Sequence, residues 1–488
     1  MSGMRWRLIY RIIGTLVACI GLSMLCPLGF SLYYRDGSYW PLLQAMAVSL
    51  TAGSVMYLLG HAATGPRAIN HREGMAATTL GWLAAALVGA LPFYLAGTFT
   101  HPVDCILEAM SGFTTTGASA LADVEAIPRG LLFWRSLTQW LGGMGIVVMA
   151  LALLPFLGMG GMELYKSEVP GAQLGADKFK PRLRDTALIL WKVYLVFTVL
   201  EAVLLMAGGM NLFDALCHTF STLATGGFST KNASIGFYHS AYIEGVVMVF
   251  MLIGGVNFAL HVRLFRGKPL AVWRDPELRF FLGMTAVVAL VITLTLWGRI
   301  YPSLGESFRY GVFQAVSLST TTGYGTADFT LWPSLAQCLL LLCLFVGAMV
   351  GSTGGAIKSL RILVLLKQSF QELTRLVHPR AVVRVKLGRE AVAPNVLSGI
   401  WAFFILYLSL FAVSTFLVAA SGVDLVTSFS GVLACLGNVG RGLGKVGPAG
   451  SYATLPGFAK WVLILDMLLG RLEIFPVILL FVPGFYKK

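Results

Sequence analysis

Four short runs carry the residues whose type and spacing could do chemistry. They are Thr115-Thr116-Gly117-Ala118-Ser119, Ala224-Thr225-Gly226-Gly227-Phe228, Thr321-Thr322-Gly323-Tyr324-Gly325 and Asn438-Val439-Gly440-Arg441-Gly442. None pairs a nucleophile with a base. What they offer is backbone: rings of carbonyl oxygens can replace the hydration shell of a cation. Glycine suits such a ring, because carbonyls that all point inward require backbone angles that a Cβ disfavours. A threonine before the glycine adds a hydroxyl at the innermost ring. A lone Thr-Thr-Gly means little, but four in like surroundings are hard to reach by chance.

The surroundings are alike. Each run follows a short, weakly amphipathic stretch: Asp104 to Leu121, Asn211 to Thr230, Ser307 to Thr330 and Asp424 to Gly447. Each stretch is too short to cross a membrane and lies between two segments that are long enough, at about 20 apolar residues. Such segments are expected near 9–33, 38–60, 76–98, 131–158, 185–208, 237–262, 277–299, 332–366, 396–421 and 457–483. The chain's 57% hydrophobic and 12% charged residues agree, since a soluble surface needs about 25% charged. The central glycines Gly117, Gly226, Gly323 and Gly440 are 109, 97 and 117 residues apart. That period is too long for a solenoid and fits four units of span, short helix, loop and span. The expected fold is an all-α polytopic membrane protein. Its expected divisions are two N-terminal spans in 1–70 and four units in 71–160, 161–270, 271–372 and 373–488. Irregular backbone at membrane depth must be buried in protein or line a watery path. Each short helix would aim its partially negative C-terminus at the common axis, which favours a cation there.

The formal net charge of +14 comes from 36 Lys and Arg against 22 Asp and Glu. A basic balance often marks nucleic-acid binding, but 25 of the 36 fall on one set of alternate loops and the two termini. The positive-inside rule places that side, and both termini, in the cytoplasm. Arg5, Arg7 and Arg11 precede a first apolar stretch too long for a cleaved leader. The seven cysteines lack paired or metal-ligand spacing, and the seven histidines are scattered, which excludes a disulfide framework and a zinc site. Gly440 to Lys445 lacks both the Ser/Thr and the preceding strand of a nucleotide loop. No nucleotide site is expected in this chain, and no enzymatic centre.

Two further features stand out. The run Gly347-Ala348-Met349-Val350-Gly351-Ser352-Thr353-Gly354-Gly355 interrupts a span, and so many glycines oppose a straight helix. It is either a close-packing face or a functional break. Arg471 sits within the last span beside Glu473; a charge there is a functional candidate or half of a structural pair with Glu473 or Asp466. Lys358 ends the glycine-rich segment and is either interfacial or part of the same device.

Thr321–Gly325 differs at one position from the T-V-G-Y-G of potassium channels. With the four units and the two extra N-terminal spans, the whole chain resembles the TrkH/TrkG/KtrB superfamily of potassium-uptake proteins. The resemblance implies four M1-P-M2 repeats around one pseudo-fourfold pore in a bacterial inner membrane. Filter carbonyls would fall on Thr115, Thr116 and Gly117, on Ala224, Thr225 and Gly226, on Thr321, Thr322 and Gly323, and on Asn438, Val439 and Gly440. It implies a gating loop formed by Gly347, Gly351, Ser352, Thr353, Gly354 and Gly355 with Lys358, and Arg471 as an electrostatic barrier below the filter. It also implies K⁺ as the transported ion, a homodimer and a cytosolic nucleotide-binding regulatory subunit (TrkA-like). Transport would be channel-like, or a symport coupled to H⁺ or Na⁺. One departure concerns the fourth filter: the family has Pro-Gly where this chain has Arg441-Gly442. Asp123, Glu125 or Asp328 is expected to neutralise Arg441.

Overall fold

The structure, a computed structural model, describes residues 4–61, 70–153, 179–380, 384–388 and 390–486. The boundary expected at 160–161, and the basic loop up to Lys178, lie outside them. Helices dominate; among the described residues, the strands are Lys386–Leu387 and Glu390–Ala391, paired in a small hairpin. Two N-terminal spans, Trp6–Tyr34 and Tyr39–Gly60, stand beside the four units. They approach closely because small residues face each other: a Cβ on Gly14 would lie 2.6 Å from the Tyr57 nitrogen, and one on Gly53 2.7 Å from that of Ala18.

Each unit begins with an outer span, at His71–Leu95, Phe179–Ala207, Pro276–Leu296 and Pro394–Ala420. These spans turn large apolar side chains outward; Val199, Val287 and Phe416 are all more than half exposed, as lipid-facing residues are. A short helix follows, at Pro102–Phe113, Leu212–Leu223, Leu304–Ser319 and Leu425–Leu436. Its start is fixed locally. Pro102 fills the first turn of the first helix. Asn211, Ser303 and Asp424 cap the others by accepting from the backbone of Asp214, Glu306 and Thr427. The short helices are buried at the centre: Leu107, Cys217, Phe313 and Cys435 have no exposure.

The inner spans depart from the expected continuous segments. Only the first, Arg129–Leu153, runs unbroken within the described residues. The second, expected across 237–262, bends by 104° between Ala241–Gly255 and Phe258–Phe265. There Gly254 and Gly255 precede Asn257, whose side chain caps the new helix by accepting from the Ala259 N–H at 2.9 Å. The third, expected across 332–366, is Ser334–Phe345, then irregular chain, then Ser359–Val377. The fourth, expected across 457–483, stops at Arg471 and resumes as Phe475–Leu479. Between them Glu473 and Ile474 take φ of 54° and 68°, a conformation unusual for a β-branched residue. Six described helices are long and apolar enough to cross a membrane, or seven with the bent pair taken as one.

Candidate ion pathway

The four Thr/Gly loops leave their helices along one backbone path. The N–H of Thr115, Thr225, Thr321 and Asn438 donates to the residue three before it, at 2.9–3.1 Å. The next N–H, of Thr116, Gly226, Thr322 and Val439, donates to Ser111, Ser221, Ser317 and Ala434 at 2.8 Å in every case. Left-handed residues then recur at the same places: Thr115, Thr225, Thr321 and Asn438 (φ 51°, 52°, 61° and 51°), and Gly117, Gly227, Gly323 and Gly440 (φ 82°, 75°, 80° and 76°). The alternation turns successive carbonyls to the same side of the chain.

This repeat corrects the expected register of the second loop. The residue equivalent to Gly117, Gly323 and Gly440 is Gly227, not Gly226. The triplet matching Thr115-Thr116-Gly117 is therefore Thr225-Gly226-Gly227, and Ala224 ends the short helix, as Thr114, Thr320 and Gly437 do. Both glycines satisfy a Thr-Gly pattern, but only the second takes a positive φ.

The loops close into a ring. A Cβ on Gly117 would collide with the Gly226 carbonyl oxygen, one on Gly227 with that of Thr322, one on Gly323 with that of Val439, and one on Gly440 with that of Thr116. Each unit thus meets the next in chain order, and the fourth returns to the first. Ion pairs hold the same order farther out: Arg309 to Glu244 between units three and two at 2.7 Å, and Lys460 to Asp104 between units four and one at 2.6 Å.

Directly beneath the ring, on the side of the short-helix C-termini, lies the irregular segment 346–358. The Gly347 N–H donates to the Ile357 carbonyl at 3.0 Å and the Ile357 N–H to that of Phe345 at 3.1 Å, closing its neck. The Thr353 hydroxyl lies within hydrogen-bond distance of the carbonyls of Leu223 (2.9 Å) and Gly254 (3.0 Å), to either of which it can donate, and the Thr225 hydroxyl reaches it at 3.2 Å. The Gly355 N–H donates to the Thr321 hydroxyl at 2.7 Å. A Cβ on Gly355 would lie 2.8 Å from that of Asn438. Gly351, at φ 75°, accepts from the Phe258 N–H at the bend of unit two, and Ser352 turns its hydroxyl onto the Met349 carbonyl. The segment so engages the innermost filter residue of units two, three and four. Thr115, its counterpart in unit one, has a buried hydroxyl with no partner among the described residues.

Arg471 lies under this segment and is buried. Its Nη1 donates to the Thr353 carbonyl at 2.7 Å and its Nη2 to that of Gly142 at 3.2 Å. It forms no ion pair among the described residues. Glu473 pairs instead with Arg361 at 2.5 Å, and Asp466 accepts from the Ser414 hydroxyl at 2.6 Å, so the structural-pair alternative fails. Lys358 is likewise buried rather than interfacial, and its ammonium donates to the Gly354 carbonyl.

The TrkH profile, described as a cation transport protein, matches residues 41–486. The chain belongs to the TrkH family. It is 42% identical to the Trk system potassium uptake protein TrkH of Salmonella typhimurium, across 99% of this chain and 100% of that one. The same figures hold for TrkH of Escherichia coli K12. The crystal structure of the potassium transporter TrkH from Vibrio parahaemolyticus superposes with a TM-score of 0.92 at 39% identity, covering 99% of this chain and 100% of that chain. Profile and relatives alike describe transporters, and the chain is not an enzyme.

Side chains behind the ring of this TrkH-family chain were not foreseen from sequence. Gln139, on the unbroken inner span of unit one, clamps the second loop: its Nε2 donates to the Gly226 carbonyl at 2.7 Å and its Oε1 accepts from the Phe228 N–H at 3.2 Å. Arg135, one turn earlier, pairs with buried Glu108 at 2.5 Å, donates to the Ser229 carbonyl at 3.0 Å and stacks on the Phe228 ring. The Tyr324 hydroxyl crosses from unit three to the carbonyls of His218 and Phe228. Partners so far apart in sequence leave no local signal; only Tyr324 sat in a motif. Asp123, Glu125 and Asp328 do not neutralise Arg441. Asn232 engages Asp123 and Glu125, and Asp328 caps Thr330. The Asn232 carboxamide, helped by the Glu125 N–H, holds the Asp123 carboxyl below its ordinary pKa, so it stays charged and engaged. The Arg441 Nη1 instead donates to the carbonyls of Gly447, Pro448 and Gly450 at 3.3, 2.8 and 3.3 Å.

Proposed function

We propose that the chain takes up K⁺ through a gated, channel-like pore whose filter is the ring of four non-identical loops. The observation that carries this reading is the closed cycle of filter glycines against neighbouring carbonyls, with one backbone geometry in all four units. The relatives' names specify potassium uptake. The ion-binding carbonyls are those of Thr115, Thr116 and Gly117; Thr225, Gly226 and Gly227; Thr321, Thr322 and Gly323; and Asn438, Val439 and Gly440. Segment 346–358 is the gate, with Gly347, Gly351, Ser352, Thr353, Gly354, Gly355 and Lys358 shaping it and Arg471 holding it. Arg471 also sets a positive charge beneath the filter. An ion moving through is driven by the membrane potential, about 2.3 kcal/mol per charge per 100 mV.

Both termini lie in the cytoplasm of a bacterial inner-membrane protein, a reading supported by the basic loops. The working form is a homodimer that meets a cytosolic partner of the TrkA kind, which would supply the nucleotide site, in keeping with the Trk system of its relatives' names. A second reading, symport with H⁺ or Na⁺, is favoured by one observation: buried Glu201 has no hydrogen-bond partner for either carboxylate oxygen among the described residues. Flux into liposomes separates the two. With purified protein and no H⁺ or Na⁺ gradient, K⁺ and Rb⁺ enter and Na⁺ is disfavoured; uptake that demands either gradient contradicts the channel reading.

A further inference from the structure

A cavity of about 90 Å³ opens on the outer side of the ring. Gly117, Gly227 and Gly440 form its floor, and Arg135, Lys231 and Arg441 stand in its wall. On the proposed pore, this cavity is the vestibule that an ion meets before the filter. Its cations are not equivalent. The charge of Arg135 is matched by Glu108 at 2.5 Å. The Lys231 ammonium stands over the Phe237 ring, 4.5 Å from its centre. Asp123 and Glu125, the acids nearest in sequence to the first loop, hydrogen-bond Asn232 and, among the described residues, form no ion pair with Arg441.

Arg441 differs from both. It follows filter residue Gly440 directly, and its Cγ lies 3.6 Å from the place of a Cβ on Gly323, so its stem crosses the seam between units four and three. Its Nη1 is pinned to three backbone carbonyls of the loop 447–450. Carbonyls fix the position of a guanidinium without cancelling its charge, and among the described residues Arg441 forms no ion pair. The result is a positive charge at the rim of the proposed cation pathway, held there by backbone carbonyls.

We infer that Arg441 sets the apparent affinity for K⁺ at the outer mouth by lowering cation occupancy of the vestibule, so that uptake in this protein depends on ionic strength. Clefts lined by one sign of charge raise or lower the local concentration of a charged substrate, and salt screens that effect. The inference rests on the proposed pore. It makes Arg441 a determinant of access rather than of selectivity, because selection belongs to the ring below.

The test is Rb⁺ uptake into proteoliposomes by the full-length chain, the Arg441→Gln variant and the charge-preserving Arg441→Lys variant. Ionic strength is set with N-methylglucamine chloride at about 0.01 M and about 1 M, where the Debye length is about 30 Å and about 3 Å. At low ionic strength the half-saturating Rb⁺ concentration of Arg441→Gln falls about threefold, the size expected for a unit charge about 6 Å from the ion across water. At high ionic strength the difference disappears, and Arg441→Lys follows the parent throughout. No shift at low ionic strength overturns the inference. So does an equal, salt-independent shift in both variants, which would show that the hydrogen bonds to loop 447–450 matter and the charge does not. Gly323→Ser in the same assay separates this failure from failure of the pore: lost K⁺/Na⁺ discrimination there, with no Arg441 effect, removes only the role given to Arg441.

Discussion

The ring of Thr/Gly loops and the layer just beneath it follow opposite designs. In the ring, four different sequences adopt one backbone, with the same two left-handed positions and the same 2.8 Å hydrogen bond back into the helix. One layer lower, four related inner spans do four different things. Unit one continues as a helix and packs Gly142 against Arg471. Unit two bends by 104°. Unit three inserts 346–358, and unit four ends a helix on a buried arginine. On the proposed pore, symmetry is needed at the ion site and not at the gate. Coordinating a spherical ion asks the same of every side, whereas a gate needs only one movable part, held by whatever its neighbours provide.

Perturbations should therefore split into two kinds. Gly323→Ser has the largest expected effect: its side chain would enter the space of the Val439 carbonyl at a left-handed position. K⁺/Na⁺ discrimination should fall about 100-fold, or about 2.8 kcal/mol, measured as relative ⁸⁶Rb⁺ and ²²Na⁺ flux. Deleting residues 351–355 removes the Thr353 and Gly355 bonds and the main acceptor of Arg471 together. Flux should rise about 30-fold with discrimination kept, which single-channel open probability would register. Arg471→Ala, which takes away two charge-assisted bonds of which one reaches the proposed gate, should raise flux about tenfold. An unchanged flux would assign the residue to packing alone. Thr353→Val loses the hydroxyl bond to Leu223 or Gly254 but keeps the shape; at about 1 kcal/mol it should raise flux about fivefold. Any of the last three variants that altered discrimination without altering flux would erase the distinction between the layers.

Much of this plan was legible in the sequence. The four short stretches between spans, each ending in a Thr/Gly run, gave the ring, because membrane depth leaves few uses for irregular backbone. The glycines from Gly347 to Gly355 gave the break, because a helix tolerates so many of them poorly. The misplaced register of the second loop came from the pair Gly226-Gly227. Composition is equal at both positions, and only φ tells them apart. The bend at Gly255–Asn257 was missed because a hydropathy reading sees a continuous apolar segment through it. Arg471 was recognised as exceptional, yet both carboxylates offered as its partners are taken by Arg361 and Ser414. Long-range pairing of that kind is decided by packing and is invisible to spacing. The same holds for the bond from Gln139 to Gly226, 87 residues away, and for that from Arg135 to Ser229, 94 residues away.

The central claim is that the carbonyls of the four loops bind a dehydrated monovalent cation on one axis. Anomalous diffraction from crystals grown in rubidium or thallium salts tests it most directly. A peak is expected on the axis among the carbonyl oxygens of Thr116, Gly226, Thr322 and Val439, absent from the equivalent sodium crystals. An axis empty of anomalous signal, with the ion bound elsewhere in the chain, would contradict it.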